Sequence, residues 1–342
     1  MPLWMVRTGR HGEHEKRFVD TNRIYVTWTN LNYDLSAAGS RQELRHVLQR
    51  IYPDKSEGHI AQNARQLWPF AHEMNASDWV AVPSKAKPVI NIAEITGGYV
   101  FDPSADDPYY HYREVKWVAR DVPRSNFDKD LLYSLGAFTT ICRIERHDAE
   151  RRIRAMGAKG WGVASGTAAG EVTEAAPGEE IDLEQLAMDQ IAELITRRFS
   201  GHDLARLVEA VLRAQGYVTY LSPLGPDKGI DILAAPGPLG FGQPRICVQV
   251  KSGDSPVDTP TLNQLIGSMQ NVHADQGLLV SWGGFKSSVD KELPVQFFRV
   301  RLWNQADLIR ELLSVYEQID PDIKADLPLR RIWTATVQED SE

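Results

Sequence analysis

Cysteine is scarce in this chain of 342 residues: Cys142 and Cys247 are the two present, far apart and without histidine or cysteine at metal-ligand spacing. So few support neither a disulfide framework nor a structural zinc site. No run of 18 apolar residues occurs, and the opening MPLWMVRTGRHGEHEKRF lacks the apolar core of a secretory signal. The expectation is a cytoplasmic protein with no membrane span. A basic excess is missing too. The formal net charge is −8, which argues against a protein that coats nucleic acid by bulk electrostatics. Lysine and arginine balance aspartate and glutamate over residues 1–145, so the acidic excess lies in the remainder. Any polyanion contact must come from local clusters such as Arg7/Arg10, Lys85/Lys87 or Arg151/Arg152/Arg154, each of which is otherwise a solvated patch.

What is present is a globular composition long enough for two domains. The most informative stretch is Gly225 to Lys251, GPDKGIDILAAPGPLGFGQPRICVQVK. It parses as a tight turn, a strand over 230–234, a Pro/Gly-rich hairpin loop and a strand over 245–251. Asp231 stands at the mouth of the first strand. Gln249 and Lys251, two apart, project from one face of the second. A carboxylate, an amide oxygen and an amine then converge, which suits a divalent cation and an activated water at a phosphodiester. Taken without their surroundings, the same residues also read as a turn aspartate and a solvated edge-strand face.

At these residues the chain resembles the Mrr-type branch of the PD-(D/E)XK nucleases, where an Asp precedes a hairpin whose second strand carries Gln-x-Lys. LARLVEAVLRAQGY (204–217) resembles that family's first helix, SWGGF (281–285) its strand and Gly-Gly-Phe turn, and 298–313 its closing strand and helix. The resemblance covers about residues 181–320. It implies a three-layer α/β/α domain with a mixed sheet, and metal-dependent hydrolysis of DNA. By the same resemblance Asp231, Gln249 and the Val250 carbonyl hold Mg²⁺, with Mn²⁺ able to substitute, and Lys251 activates the water or stabilises charge on the phosphate. Asp227 is a further candidate, or a residue that shapes the turn. One departure is Ala205, where the family usually carries Glu. Glu209, one helical turn on, is the proposed substitute, and otherwise an exposed helix residue. The helix from Thr259 reads as a cover helix, with Gln264 a weaker site candidate.

Residues 1–145 read as a separate domain. Helices are expected over 41–51 and 57–74, and strands over 23–28, 79–82, 89–95, 98–101, 112–118 and 137–144. VTW (26–28), SDWVAVP (77–83), IAEITGGYVF (92–101) and YYHYREVKWV (109–118) resemble the PUA-like and EVE-like superfamily, small mixed β-barrels that bind modified or flipped bases; Ser77 stands where Gly is expected. A flipped base needs flat apolar faces and polar edge readers. Trp28, Tyr33 and Trp79 are the candidate pocket aromatics, with Asp34, Asn32 and Asp78 as edge readers; Trp28 as plain core is an equal reading. Residues 146–181 read as a flexible Gly/Ala/Glu-rich tether, unless Trp161 docks and orders it. Residues 182–320 are the nuclease domain, and 321–342 a frayed acidic tail.

Together these expectations describe a modification-dependent restriction endonuclease, acting on double-stranded DNA as a homodimer because two strands need two active sites. The alternatives are an inactive nucleic-acid sensor, kept open by Ala205, and a repair nuclease for branched DNA.

Overall fold

The computed structural model describes residues 2–85, 87–136, 139–162, 182–223 and 229–333. The chain divides into two compact units, residues 1–186 and 187–333.

The first unit comprises β1 (Leu3–Val6), α1 (Glu15–Thr21), β2 (Arg23–Val26), α2 (Arg41–Ile51), α3 (Glu57–His72), β3 (Trp79–Pro83), β4 (Val89–Phe101), β5 (His111–Pro123), α4 (Lys129–Ser134), β6 (Ile141–Arg143) and α5 (Ala149–Ala158). Its six strands form one mixed sheet in the order β2-β5-β4-β3-β1-β6. Only β1 and β3 are parallel. Both faces are covered, so alternate residues of β1 enter different cores. Trp4 and Val6 join the core that includes residues of α2 and α3, while Leu3 and Met5 join Ile90, Ile92 and Ile153 on the other side. Ser40 and Ser56 start α2 and α3 by accepting Glu43 and His59 N–H groups, which relieves donors with no partner in the first helical turn. Among the described residues β2 and β6 are the outer strands, with no pairing between them to close a barrel.

Two expectations change here. Residues 146–162 were expected to belong to the tether, yet α5 buries Ile153 and Met156 in the second core and Trp161 packs 6.2 Å from the Trp79 ring. Arg152 bridges Asp128 and Asp130, so one charge of this segment is held by long-range pairs inside the unit, while the Arg151–Asp148 pair stays exposed. The rest of the expected tether, 163–181, lies outside the described residues. The tail is also shorter than expected: α11 (321–326) and Leu327 bury Ile323 and Leu327 in the core of the second unit.

The second unit runs α6 (Leu183–Arg198, from its middle), α7 (His202–Ala214), β7 (Val218–Leu221), β8 (Ile232–Ala235), β9 (Ile246–Lys251), α8 (Thr259–Asn271), β10 (Gln276–Ser281), α9 (Ser287–Gln296), β11 (Val300–Trp303), α10 (Gln305–Val315) and α11 (Pro321–Asp326). The sheet order is β11-β10-β9-β8-β7, with β9, β10 and β11 parallel and β7 and β8 antiparallel. Helices α7 and α10 pack on one face through Ile232, Val248 and Val250; α8 and α9 cover the other through Cys247, Leu279 and Val300. This is the expected three-layer α/β/α arrangement, and β9 is its central strand.

Candidate active site

Being central decides how Gln249 and Lys251 are to be read. A polar residue on an edge strand faces water, but both faces of β9 are covered, and Gln249 is 0% exposed. Its Oε1 and Nε2 are both buried with no hydrogen-bond partner among the described residues. An unsatisfied buried amide is costly, and such groups call for an explanation. Alternation along β9 puts Cys247, Gln249 and Lys251 on the face toward α8, opposite Val248 and Val250.

Asp231 reaches the same place from the end of β8. Its N–H donates to Val248 O at 3.0 Å, the last ladder bond before the strand begins. Asp231 Oδ2 then accepts the Val250 N–H at 2.8 Å, so the carboxylate takes over where a backbone carbonyl would have continued the ladder. Gly229 closes the turn at φ +79°, and a Cβ there would lie 2.7 Å from Gln264 Nε2 and 3.1 Å from Gln249 Nε2. Glycine is needed at this point for both its backbone angle and its absent side chain. Two glutamine amides, one from β9 and one from α8, therefore meet at the turn that leads into Asp231. Gln264 was the weaker candidate because helical spacing marks it only as off the apolar face. Asp227 lies outside the described residues.

Lys251 ends β9 opposite Ser281 of β10, and its carbonyl accepts the Trp282 N–H at 2.8 Å. The following Gly-Gly pair explains itself at close quarters. A Cβ on Gly283 would fall 2.6 Å from the Asp254 carbonyl oxygen, and Gly284 has φ +79°. The Ser281–Phe285 turn thus lies directly on the chain leaving Lys251 and fixes its exit. Cys247, on the same face, is no nucleophile: burial, then the Asp231 charge, pushes its thiol up to about 11.

Glu209 does not join this group. Its Oε1 accepts the Thr219 hydroxyl at 2.9 Å. Thr219 pairs with Ala234, three residues along from Asp231, which at about 3.3 Å per strand residue separates them by on the order of 10 Å. Glu209 also sits on α7, the layer against the opposite face. Ala205, at the family's usual carboxylate position, is a buried core residue. Among the described residues no three His, Cys, Asp or Glu side chains cluster as metal ligands. The donors gathered here are instead one carboxylate and an unpartnered amide oxygen, both hard ligands of the kind Mg²⁺ accepts.

The base-pocket candidates divide. Asp34 caps the short turn over 35–37, accepting Ser36 N–H at 2.9 Å. Tyr99 Oη accepts Leu35 N–H at 3.0 Å and donates to His111 Nδ1 at 2.7 Å, while His111 Nε2 donates to Leu31 O at 2.7 Å. That tautomer follows from the network. Burial lowers the His111 pKa to about 4, so the ring is neutral. Asn32 Nδ2 donates to Pro103 O at 3.3 Å and Asn30 N–H to Asp107 at 2.8 Å. The loop that carries half-buried Trp28, Tyr33 and Asp34 is thereby fastened to the 103–111 segment. Trp79 is a correction: it packs with Trp161 and under Arg154 on the other face of the sheet, away from the core that Trp28 joins. Asp78 is likewise structural, buried and accepting Trp4 Nε1 and Asn75 N–H at 3.0 Å each.

Residues 196–312 match the family model of a restriction endonuclease domain, Mrr_cat. Within the second unit, residues 196–312 form an Mrr_cat restriction endonuclease domain. Residues 4–136 match a domain model of unknown function, DUF8426. No curated protein matches the chain. Among solved structures, the DNA modification-dependent restriction endonuclease AspBHI is similar at 13% identity over 73% of this chain and 68% of its own, with a TM-score of 0.34. The MspJI restriction endonuclease in complex with a 27-mer oligonucleotide is similar at 15% identity, over 78% and 69%, with a TM-score of 0.29. The domain boundaries of the Mrr_cat match enclose Asp231, Gln249, Lys251 and Gln264 together.

Proposed function

We propose that the protein is a modification-dependent DNA endonuclease, in which the first unit reads a modified base in double-stranded DNA and the Mrr_cat unit hydrolyses the phosphodiester. The observation that carries the nuclease half is the Gln249 amide, buried and unpartnered beside Asp231 in the central strand. A structural glutamine would have found partners; one that receives a ligand has its oxygen in reserve.

Asp231, Gln249 Oε1 and the Val250 carbonyl would hold a divalent cation, Mg²⁺ with Mn²⁺ as substitute, which supplies Lewis acidity and an acidified water when bound. With a single carboxylate in the set, affinity is modest until substrate phosphates complete it. The Val250 N–H orients Asp231, and the Lys251 ammonium stabilises negative charge on the phosphate as the water oxygen adds and one P–O ester bond breaks. For the reader half the support is the fastened Trp28–Asp34 loop, which carries half-buried Trp28 and Tyr33 next to Asp34.

The test is cleavage of otherwise identical plasmids, unmodified, cytosine-modified or adenine-methylated, with Mg²⁺ or EDTA, by wild type and Lys251→Ala. Metal-dependent cutting of one modified plasmid, lost in the variant, is the expected result. The buried Ala205 and displaced Glu209 favour a second reading, a binding protein without catalysis; it predicts retained binding to a modified plasmid with no cutting in any metal.

A further inference from the structure

An open depression of about 370 Å³ lies in the first unit, lined by Asn22, Val115, Lys116, Trp117 and Arg120. Strand irregularity builds it. Ile92 pairs with Ala119 and Ala93 with Trp117, while Ile90 pairs with Val122, so β5 carries an extra residue in each of two successive steps. Bulges of this kind bend a strand and re-aim its side chains. They bring Lys116, Trp117 and Arg120 around one hollow, which strict alternation would not allow. The partner strand stops at the same point: β2 pairs with β5 only up to Glu114, and Asn22, the left-handed cap of α1, accepts the Val115 N–H as the chain turns away.

The chemistry of the hollow is unusual for this chain. In a protein of net charge −8, two cations flank one depression, and neither makes an ion pair among the described residues. Between them sits Trp117, whose Nε1–H is buried with no partner among the described residues. Cations beside a flat aromatic wall suit the backbone of a nucleic-acid strand, with phosphates on the cations and a base or sugar against the ring.

We infer that this depression is a DNA-backbone site, with Lys116 and Arg120 each contacting a phosphate and Trp117 supporting the nucleotide between them. It is separate from the Trp28–Asp34 loop and positions the duplex without reading its sequence. The inference rests on the reading that the first unit contacts DNA.

The experiment measures binding of a fluorescent duplex, with and without base modification, to the full chain carrying Lys251→Ala to suppress cutting, across about 50 to 200 mM salt. Each phosphate contact contributes about 0.9 to the slope of log affinity against log salt, so adding Lys116→Ala and Arg120→Ala makes the slope shallower by about 1.8. Modified and unmodified duplexes lose affinity by the same factor. Lys116→Arg with Arg120→Lys retains the slope, and unchanged melting temperatures separate the effect from misfolding. An unchanged slope in the double alanine variant, with the parent still binding DNA, overturns this site alone. A parent chain that binds no duplex overturns it together with the DNA reading.

Discussion

In the proposed site, Gln249 is where stability and activity would be set against each other most directly. Its two amide atoms are desolvated without return, and an unsatisfied buried group costs about 1 to 3 kcal/mol. Gln249→Leu, similar in volume and apolar, is expected to raise stability by about 1 kcal/mol or more while abolishing metal-dependent cleavage. Thermal melts beside plasmid assays check both halves, and a destabilised leucine variant would make the glutamine structural instead. Gly229→Ala probes the neighbouring turn. The added methyl meets the Gln264 and Gln249 amides in a left-handed backbone, so cleavage falls by an order of magnitude or more while circular dichroism of the rest of the chain is unchanged.

At the scale of elements, the loop over 28–35 depends on a neutral histidine. The His111 pKa lies near 4, below its ordinary 6.5, because burial penalises the imidazolium. Between those values the unfolded chain binds a proton that the folded chain does not. Stability from this group is complete above pH 6.5 and declines as pH falls toward 4, by on the order of 3 kcal/mol. Melting temperatures of wild type should drop over that interval more steeply than those of His111→Gln. The same elements show what was legible beforehand. Helices α2 and α3 were readable because serine caps and apolar spacing act locally. The Asp231 turn and the Gln-x-Lys strand were readable because order along the chain carried them. Strand β1 was not: it is four residues long and buried on both faces, so neither length nor alternation marks it. Helix α5 was hidden by its charge, because the partners of Arg152, Asp128 and Asp130, lie 24 and 22 residues away. Whether Glu209 could replace the missing carboxylate depended on strand register and layer, which helical spacing does not contain. Trp79 failed as a pocket residue for a similar reason, since its sequence neighbourhood does not say which face of a doubly covered sheet it takes.

For the whole molecule, each chain carries one candidate site, and a double-strand break needs two. A homodimer on DNA predicts that an equimolar mixture of wild type and Lys251→Ala accumulates nicked plasmid, which neither protein alone produces in quantity; gel analysis of supercoiled, nicked and linear forms checks it. Independent monomers would give simple dilution of the wild-type rate. For the proposed cation site, one bond described above would make the protein a gauge of its own occupancy. Because the Val250 amide is held by a carboxylate, anything that draws charge from Asp231 alters the electronic environment of that single proton. Its nuclear magnetic resonance frequency becomes a titration signal for cations in the absence of DNA, and silence of that signal in Asp231→Asn separates filling of the site from every later event on the substrate.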